Sequence, residues 1–292
     1  MDIIKNLLRP LFRLAVRLAL WLLQGFFVVL RLVLPKDKYY RARAAIAERA
    51  PTECVIGGLR FHINHPISYF RAREFLRVEP DLVHWIDDFI DEKSILYDVG
   101  ANIGAYSLYD ARKGARVIAF EPFAGNYSLL NQNIQLNGMG ERISAFNLAL
   151  HDTTGVNVLN ISKFAPGGAI HAVGVTRAGS SFEEFEPVHG QSVVAFRLDD
   201  FVGMFDQPFP THVKIDVDGN DPLVLAGMSG LFSDDRLKHI AIEVNPKLRE
   251  TDQGVVDAME SFGFEQLVDD RYLNPSVKIS NKAYNAYFVR KT

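Results

Sequence analysis

The stretch Tyr97-Asp98-Val99-Gly100-Ala101-Asn102-Ile103-Gly104-Ala105-Tyr106-Ser107, taken with Glu121 downstream, decides how this chain is read. Ile95, Leu96 and Val99 form a short apolar run that marks a buried strand, and Ile103 to Lys113 reads as a helix. Between them lie two glycines, small residues and an Asn, where the backbone turns sharply and a ligand can approach closely. A second strand, Ala115 to Phe120, ends on Glu121. A carboxylate in that position suits a ribose diol, two hydroxyl donors meeting one acceptor group. The pattern predicts a nucleoside-cofactor site.

The loop narrows the choice of nucleoside. Close approach of a pyrophosphate calls for G-x-G-x-x-G spacing, whereas this loop reads Asp98-x-Gly100-x-Asn102-x-Gly104, with Asn in place of the middle glycine. Asp98 would repel a phosphate but suits an α-amino group, and the amides of a helix N-terminus suit a carboxylate. A ribose-bearing ligand with an aminoacyl head and no phosphate is S-adenosylmethionine. The expected site is of the methyltransferase type. A nicotinamide-dependent oxidoreductase is the enzymatic rival, and a catalytically silent, membrane-tethered nucleoside-binding or scaffolding domain is the rival of another class.

Upstream, residues 1–35 carry Lys5, Arg9, Arg13, Arg17 and Arg31 against a single acid, Asp2, amid Leu, Ile, Val, Phe and Trp21. Four of these cations recur every fourth residue and form a drifting stripe on one side of a helix. The uncharged run Leu18–Leu30 is shorter than the ~20 residues a span requires. With Arg17 and Arg31 snorkelling, Leu14–Leu34 could just cross. A basic face opposite an apolar, aromatic one suits an in-plane helix on an anionic leaflet. A short span and a helix packed on protein are the other readings. The expected location is cytoplasmic, peripheral to or anchored on the cytoplasmic face of the membrane.

Residues 36–92 read as a lead-in, with a hairpin around Cys54–His62 that turns at Gly57-Gly58 and a helix near Leu82–Asp91. From residue 93 onward strands alternate with helices: Arg142–Leu150, Thr211–Val217 and Leu237–Val244 as strands, then Phe264–Val268 and Ala283–Val289 as an antiparallel pair. Such alternation predicts a doubly wound, mostly parallel α/β sheet covered on both faces. Residues 162–191, rich in Gly, Ser and Ala and without periodicity, interrupt it as an expected substrate lid. A net charge of −3 gives no footprint for nucleic acid. The single Cys54 excludes an internal disulfide, and no Cys/His cluster has zinc spacing.

A second constellation, Lys214-Ile215-Asp216-Val217-Asp218-Gly219-Asn220-Asp221, closes the fourth strand, and Glu243 closes the next. Lys214, Asp216 and Asp218 alternate and would share one face of an extended strand. Asp216 and Glu243 should face the same cleft as Gly100–Gly104, because ligands bind beyond the carboxyl ends of such strands. A carboxylate there can act as general base towards an attacking hydroxyl, and several together could hold a divalent cation, although no metal ligand set is assigned. Asp218 and Asp221 read as turn and cap residues, and Lys214 as a charge partner. Of the histidines, His171 in the lid and His151 are the ones worth testing as bases.

Together, YDVGANIGAYS, AFEPFAGNYSLLNQNIQLN, ISAFNLAL, Leu198–Asp200, KIDVDGND and IAIEVN resemble the FkbM family of class I S-adenosylmethionine-dependent methyltransferases. The likeness runs over roughly residues 94–290. It implies a seven-stranded sheet with a reversed last strand, and O-methylation, often of a sugar or polyketide-type hydroxyl. By position, Asp98, Gly100, Asn102 and Gly104 would surround the methionine end and Glu121 would take the ribose. Pro122, Phe123, Ala149 and Leu150 would lie near the adenine. Asp218 and Asn220-Asp221 depart from the Glu and Ala-Glu of many relatives. No Asn/Asp-Pro-Pro-Tyr follows the fourth strand, which argues against N-methylation of adenine or glutamine. The expected acceptor is a hydroxyl of a glycan or membrane-linked envelope compound.

Overall fold

The computed structural model describes residues 2–49, 52–178, 183–244, 249–272 and 283–291. Two compact units result, Met1–Thr52 and Glu53–Thr292. In the first, α1 (Asp2–Val33) is followed by α2 (Lys36–Arg49). The charged run after Pro35 thus continues as helix, and residues 36–52 belong with the N-terminal unit rather than with a 36–92 lead-in. Pro10–Val33 is long and apolar enough to cross a membrane, and it leaves Phe12, Leu18, Trp21 and Leu32 exposed.

The second unit opens with the expected hairpin, β1 (Glu53–Ile56) and β2 (Leu59–His62), turned by two glycines at positive φ. Two helices follow, α3 (Pro66–Val78) and α4 (Pro80–Phe89), where the sequence suggested only one. α3 is capped by His65, whose Nδ1 accepts from the Ile67 N–H while Ser68 Oγ accepts from the His65 N–H, a reciprocal box that satisfies the first free donors.

The central sheet contains β3 (Ile95–Val99), β4 (Arg116–Phe120) and β5 (Ile143–Phe146), with α5 (Ala105–Lys113) and α6 (Ala124–Leu136) as crossovers. Further on come α7 (Leu198–Met204), β12 (His212–Ile215), α8 (Asp221–Ala226), β13 (His239–Val244), α9 (Arg249–Ser261), β14 (Phe264–Gln266) and β15 (Tyr284–Arg290). Their order is β14-β15-β13-β12-β3-β4-β5, parallel except that β15 runs against both neighbours. This is the seven-stranded, doubly wound sheet with one reversed strand. Successive strand residues enter opposite cores. Leu96, Val117 and Ala119 pack with Trp85, Leu108 and Leu130, while Tyr97, Ile118 and Phe120 pack with Phe201, Val224 and Met259. Burial on both faces explains why these strands read as continuous apolar runs. At the amino edge of the sheet, His212 and His239 are register partners with stacked rings 4.7 Å apart, beside Trp85.

Two expectations are corrected here. The strand drawn over 142–150 is two strands: β5 stays in the main sheet and β6 (Ala149–Leu150) joins another. Asn147 makes the break, its Nδ2 donating to the carbonyls of Glu121 and Pro122 at 2.8 and 2.9 Å. The aperiodic segment over 162–191 carries short strands, and its flanks belong to a second sheet. β7 (Gly155–Ile161), β8 (His171–Val173) and β11 (His189–Phe196) form a second sheet in the order β6-β11-β7-β8, and the short strands β9 (Arg177–Ala178) and β10 (Glu183–Glu184) pair with each other. Gly, Asn and Ser within β7 and β11 blur their period-2 signal, and residues 179–182 lie outside the described residues.

Candidate active site

The carboxyl ends of β3, β4, β12 and β13 face one side of the sheet, and the loops that follow surround a cavity of about 450 Å³, a size suited to a cofactor or small substrate. The two loop glycines serve chain packing. Gly100 has φ +81°, and a Cβ there would lie 1.9 Å from the Asp216 carbonyl oxygen. Gly104 has φ +84°, and its Cβ would lie 2.4 Å from Leu130 Cδ1. Gly100 thus lets the β3 loop lie against the β12 loop and still lines the cavity; Gly104 lets α5 begin against α6 and is absent from the lining.

Asp98 is absent from the cavity lining. Its carboxylate, 1% exposed, accepts from Ser107 Oγ and pairs with Lys214 Nζ at 3.2 Å. It fixes the loop to β12 and does not present itself to an α-amino group.

Asn102, Glu121, Pro122, Phe123, Ala149 and Leu150 all line the cavity. Glu121 is 5% exposed, with Oε2 accepting from the Asn102 N–H at 2.8 Å and Oε1 from the Phe123 N–H at 2.9 Å. Burial pushes its carboxyl up to about 7, against the pull of those N–H groups. Oε1 also accepts from Asn126 Nδ2 at 3.5 Å, and Oε2 keeps a lone-pair direction for a further donor. The loop after β7 closes onto this wall: Asn102 Nδ2 and Asn126 Nδ2 both donate to the Gly168 carbonyl at 3.0 Å, and Asn126 Oδ1 accepts from the Gly167 N–H at 2.8 Å. Glu121, buried in this wall with its carboxylate fixed by backbone donors, fits the hydroxyl donors of a ribose.

The three residues assigned as bases all line the cavity and separate into different roles. Asp216, with its side chain 31% exposed, has Lys214 Nζ 3.6 Å away. Burial works against the Lys214 charge, yet the carboxylates of Asp98, Asp216 and Glu79 hold its pKa above the usual value. Glu243 is pushed up to about 10 by burial and then by the charges of Asp216, Asp221 and Asp218. It therefore keeps its proton at neutral pH and donates rather than accepts. Burial takes His171 down to about 4, and its ring packs edge-on against Phe123 with centroids 4.8 Å apart. His171 lines the cavity, but beside the residue expected to meet the adenine rather than beside Asp216.

The strand geometry expected for the second constellation is corrected too. β12 ends at Ile215 and Asp218 has φ +57°, so Lys214, Asp216 and Asp218 do not share an extended face. Asp221 closes the turn by accepting from the Val217 and Gly219 N–H groups, and Asp218 accepts from the Ile170 N–H at 2.7 Å. Burial, then the charge of Asp216, moves Asp221 up to about 7 and Asp218 up to about 6. Among the described residues no group of three or more His, Cys, Asp or Glu could hold a metal ion.

Sequence reasoning missed a network facing the cofactor loops. Glu79, Tyr106 and Asn285 line the cavity, with Tyr106 Oη donating to Glu79 Oε2 at 2.6 Å and Asn285 Nδ2 to Glu79 Oε1 at 2.9 Å. Burial, followed by the charge of Asp216, raises the Glu79 carboxyl. Flanking Pro80 at a helix start, Glu79 and Asp81 read from sequence as ordinary helix-start residues, and nothing nearby pairs them with β15.

Comparison with known proteins follows the same division. Residues 98–266 match the family described as the methyltransferase FkbM domain. The hexuronic acid methyltransferase AglP of Haloferax volcanii is 28% identical over 185 residues, covering 63% of this chain and 70% of that protein. Methyltransferase 1 of Beauveria bassiana is 26% identical over 176 residues, covering 54% of this chain and 70% of its own. A solved structure of methyltransferase FkbM from Methylobacillus flagellatus KT superposes with a TM-score of 0.44 at 17% identity, over 68% of this chain and 44% of that one. The chain thus spans less than half of that structure.

Proposed function

This chain belongs to the FkbM methyltransferase family, and from that premise we propose that it moves a methyl group from S-adenosylmethionine to a hydroxyl oxygen of a glycan at a membrane surface. One observation carries the reading: a single cavity has Glu121 and the Gly100–Asn102 loop at one wall and Asp216 with Glu243 at another. Membership of a methyltransferase family removes the oxidoreductase rival.

Glu121 would hold the ribose hydroxyls, the backbone from Gly100 to Asn102 the aminoacyl head, and Phe123 with Ala149 and Leu150 the adenine. When bound, the cofactor supplies an electrophilic sulfonium methyl. The chain's own contribution is position: holding reacting atoms in line at contact distance is worth about 7 kcal/mol or more. Asp216 takes the proton from the acceptor hydroxyl. Lys214 Nζ, 3.6 Å away, orients Asp216, and protonated Glu243 donates to an acceptor oxygen. His171 stays neutral and serves packing.

The glycan class is supported by the printed activity of the AglP relative. The membrane location is supported by Pro10–Val33, whose apolar side chains are exposed along its whole length. Apolar area left in water costs about 25 cal/mol per Å², which a bilayer removes. Basic residues along this helix favour the cytoplasmic leaflet.

The test is transfer of tritiated methyl from S-adenosylmethionine by the full chain to a polar glycolipid extract. Label that survives mild base, as an ether does, supports the reading. Base-labile label would indicate a methyl ester, and label in no glycan despite cofactor binding would leave the silent domain.

A further inference from the structure

The cavity has a wall that the family match does not cover. Phe70, Glu79 and Asp81 lie before residue 98, and Asn285 lies after residue 266, yet all line the same cavity as Glu121 and Asp216. The cofactor wall therefore falls inside the family match, and these residues of the facing wall fall outside it.

We infer that this facing wall, built by Glu79 and Asp81 around the start of α4 together with Asn285 of β15, binds the hydroxyls of a neutral sugar ring in the methyl acceptor. The inference rests on the methyltransferase reading above and names the acceptor class for the same site.

Asp81 carries the argument. It is 2% exposed and lines the cavity. Its Oδ2 accepts from Tyr287 Oη at 2.8 Å, whereas Oδ1, fully buried, has no partner among the described residues. A buried carboxylate oxygen without a donor is costly, and a donor from a ligand removes that cost. Glu79 lies two residues earlier, with one donor on each oxygen and lone pairs to spare. Both groups ask for hydrogen-bond donors.

Charge decides which donors. Glu79, Asp81, Asp216, Asp218 and Glu243 line the cavity, and the buried Lys214 is already shared between Asp98 and Asp216. A uronate or phosphate would meet these carboxyls without a free buried cation. Arg71, the exposed cation of the lining, has its Nε on the Gly167 carbonyl at 3.3 Å. An ammonium only donates, whereas Glu243 retains a proton to give. A hydroxyl both gives and accepts, which matches the mixture. Phe70, 49% exposed, adds a ring face for the C–H side of a pyranose.

The experiment offers the full chain tritiated S-adenosylmethionine with p-nitrophenyl hexopyranosides of the neutral, uronide and amino-sugar types at equal concentration. Neutral glycosides should be methylated in preference to the other two. Asp81→Asn and Glu79→Gln should each lower kcat/KM on the best of them roughly ten- to a hundredfold, the loss expected for a hydrogen bond to a charged group. The loss should fall on KM, with kcat and the affinity for S-adenosylhomocysteine unchanged. Should Asp81→Asn lower Tm, Glu79→Gln carries the same comparison. Preference for the uronide or the amino sugar, unchanged KM in both variants, or bound cofactor with no glycoside methylated would each overturn the inference. Failure of wild type to bind S-adenosylmethionine would overturn the underlying reading, and the inference with it.

Discussion

On the cofactor side, the loops at Gly100–Gly104 and Glu121–Phe123 offer mainly backbone, with Glu121 already satisfied by two N–H donors. On the facing side the cavity is made of side chains from α3, α4, α5, β12, β13 and β15, and their carboxyls are crowded enough to shift one another. The first wall is internally hydrogen-bonded, with the N–H groups of Gly100, Ala101, Asn102 and Phe123 already engaged. The second stores unfavourable burial, with a proton kept on Glu243, an orphaned oxygen on Asp81 and a lysine clamped between two acids. Binding geometry comes cheaply from backbone; reactivity needs side chains held where they are uncomfortable.

The contrast can be broken most sharply at Asp216. Asp216→Asn should cut methyl transfer roughly 100- to 10,000-fold, the range for loss of a positioned base, while cofactor affinity stays the same. Steady-state rates and equilibrium titration on one preparation check it. A loss of both together would merge the two walls into one function.

Gly100→Ala tests where the walls touch. Its Cβ would strike the Asp216 carbonyl at a backbone φ of +81°, so the unit should lose about 3 kcal/mol or more of stability. Denaturant unfolding reads this directly.

The far edge of the sheet supplies a control. Burial holds His212 at about 3 and His239 at about 4, below the unfolded value near 6.5. The folded state therefore binds their protons less readily than the unfolded chain. Their contribution is complete above pH 6.5 and falls steeply as the pH drops towards 4. His239→Gln should flatten that acid limb in a melting series.

Glu243 carries the opposite sign. The folded pKa of Glu243 is raised, so its contribution is complete below the unfolded value of about 4.5 and is lost as pH rises towards 10. Glu243→Gln removes the loss. Its Tm should match wild type near pH 5 and exceed it at pH 9.

Legibility in the sequence follows the same division. The cofactor wall is contiguous: strand, turn, helix, strand and acid occupy a short stretch, and the turn chemistry of Gly100 and Asn102 is visible in residue type alone. Even there, the cause differs from the expectation, since the glycines answer to Asp216 and Leu130 and Asp98 answers to Lys214. The sheet was legible because strands buried on both faces are continuous apolar runs. The second sheet was not, because β7 and β11 expose Val156, Val158 and Val194 on one side and their Gly, Asn and Ser blur the alternation. The facing wall could not be read at all: Glu79 meets Asn285 across a distance in sequence that no local pattern encodes.

The most direct test of the account is calorimetric titration of the full chain with S-adenosylmethionine, S-adenosylhomocysteine and NAD, repeated on Glu121→Ala. Micromolar binding of the first two, lost in the variant, is the predicted result. Binding of NAD alone, or of the first two with equal affinity in Glu121→Ala, would contradict it.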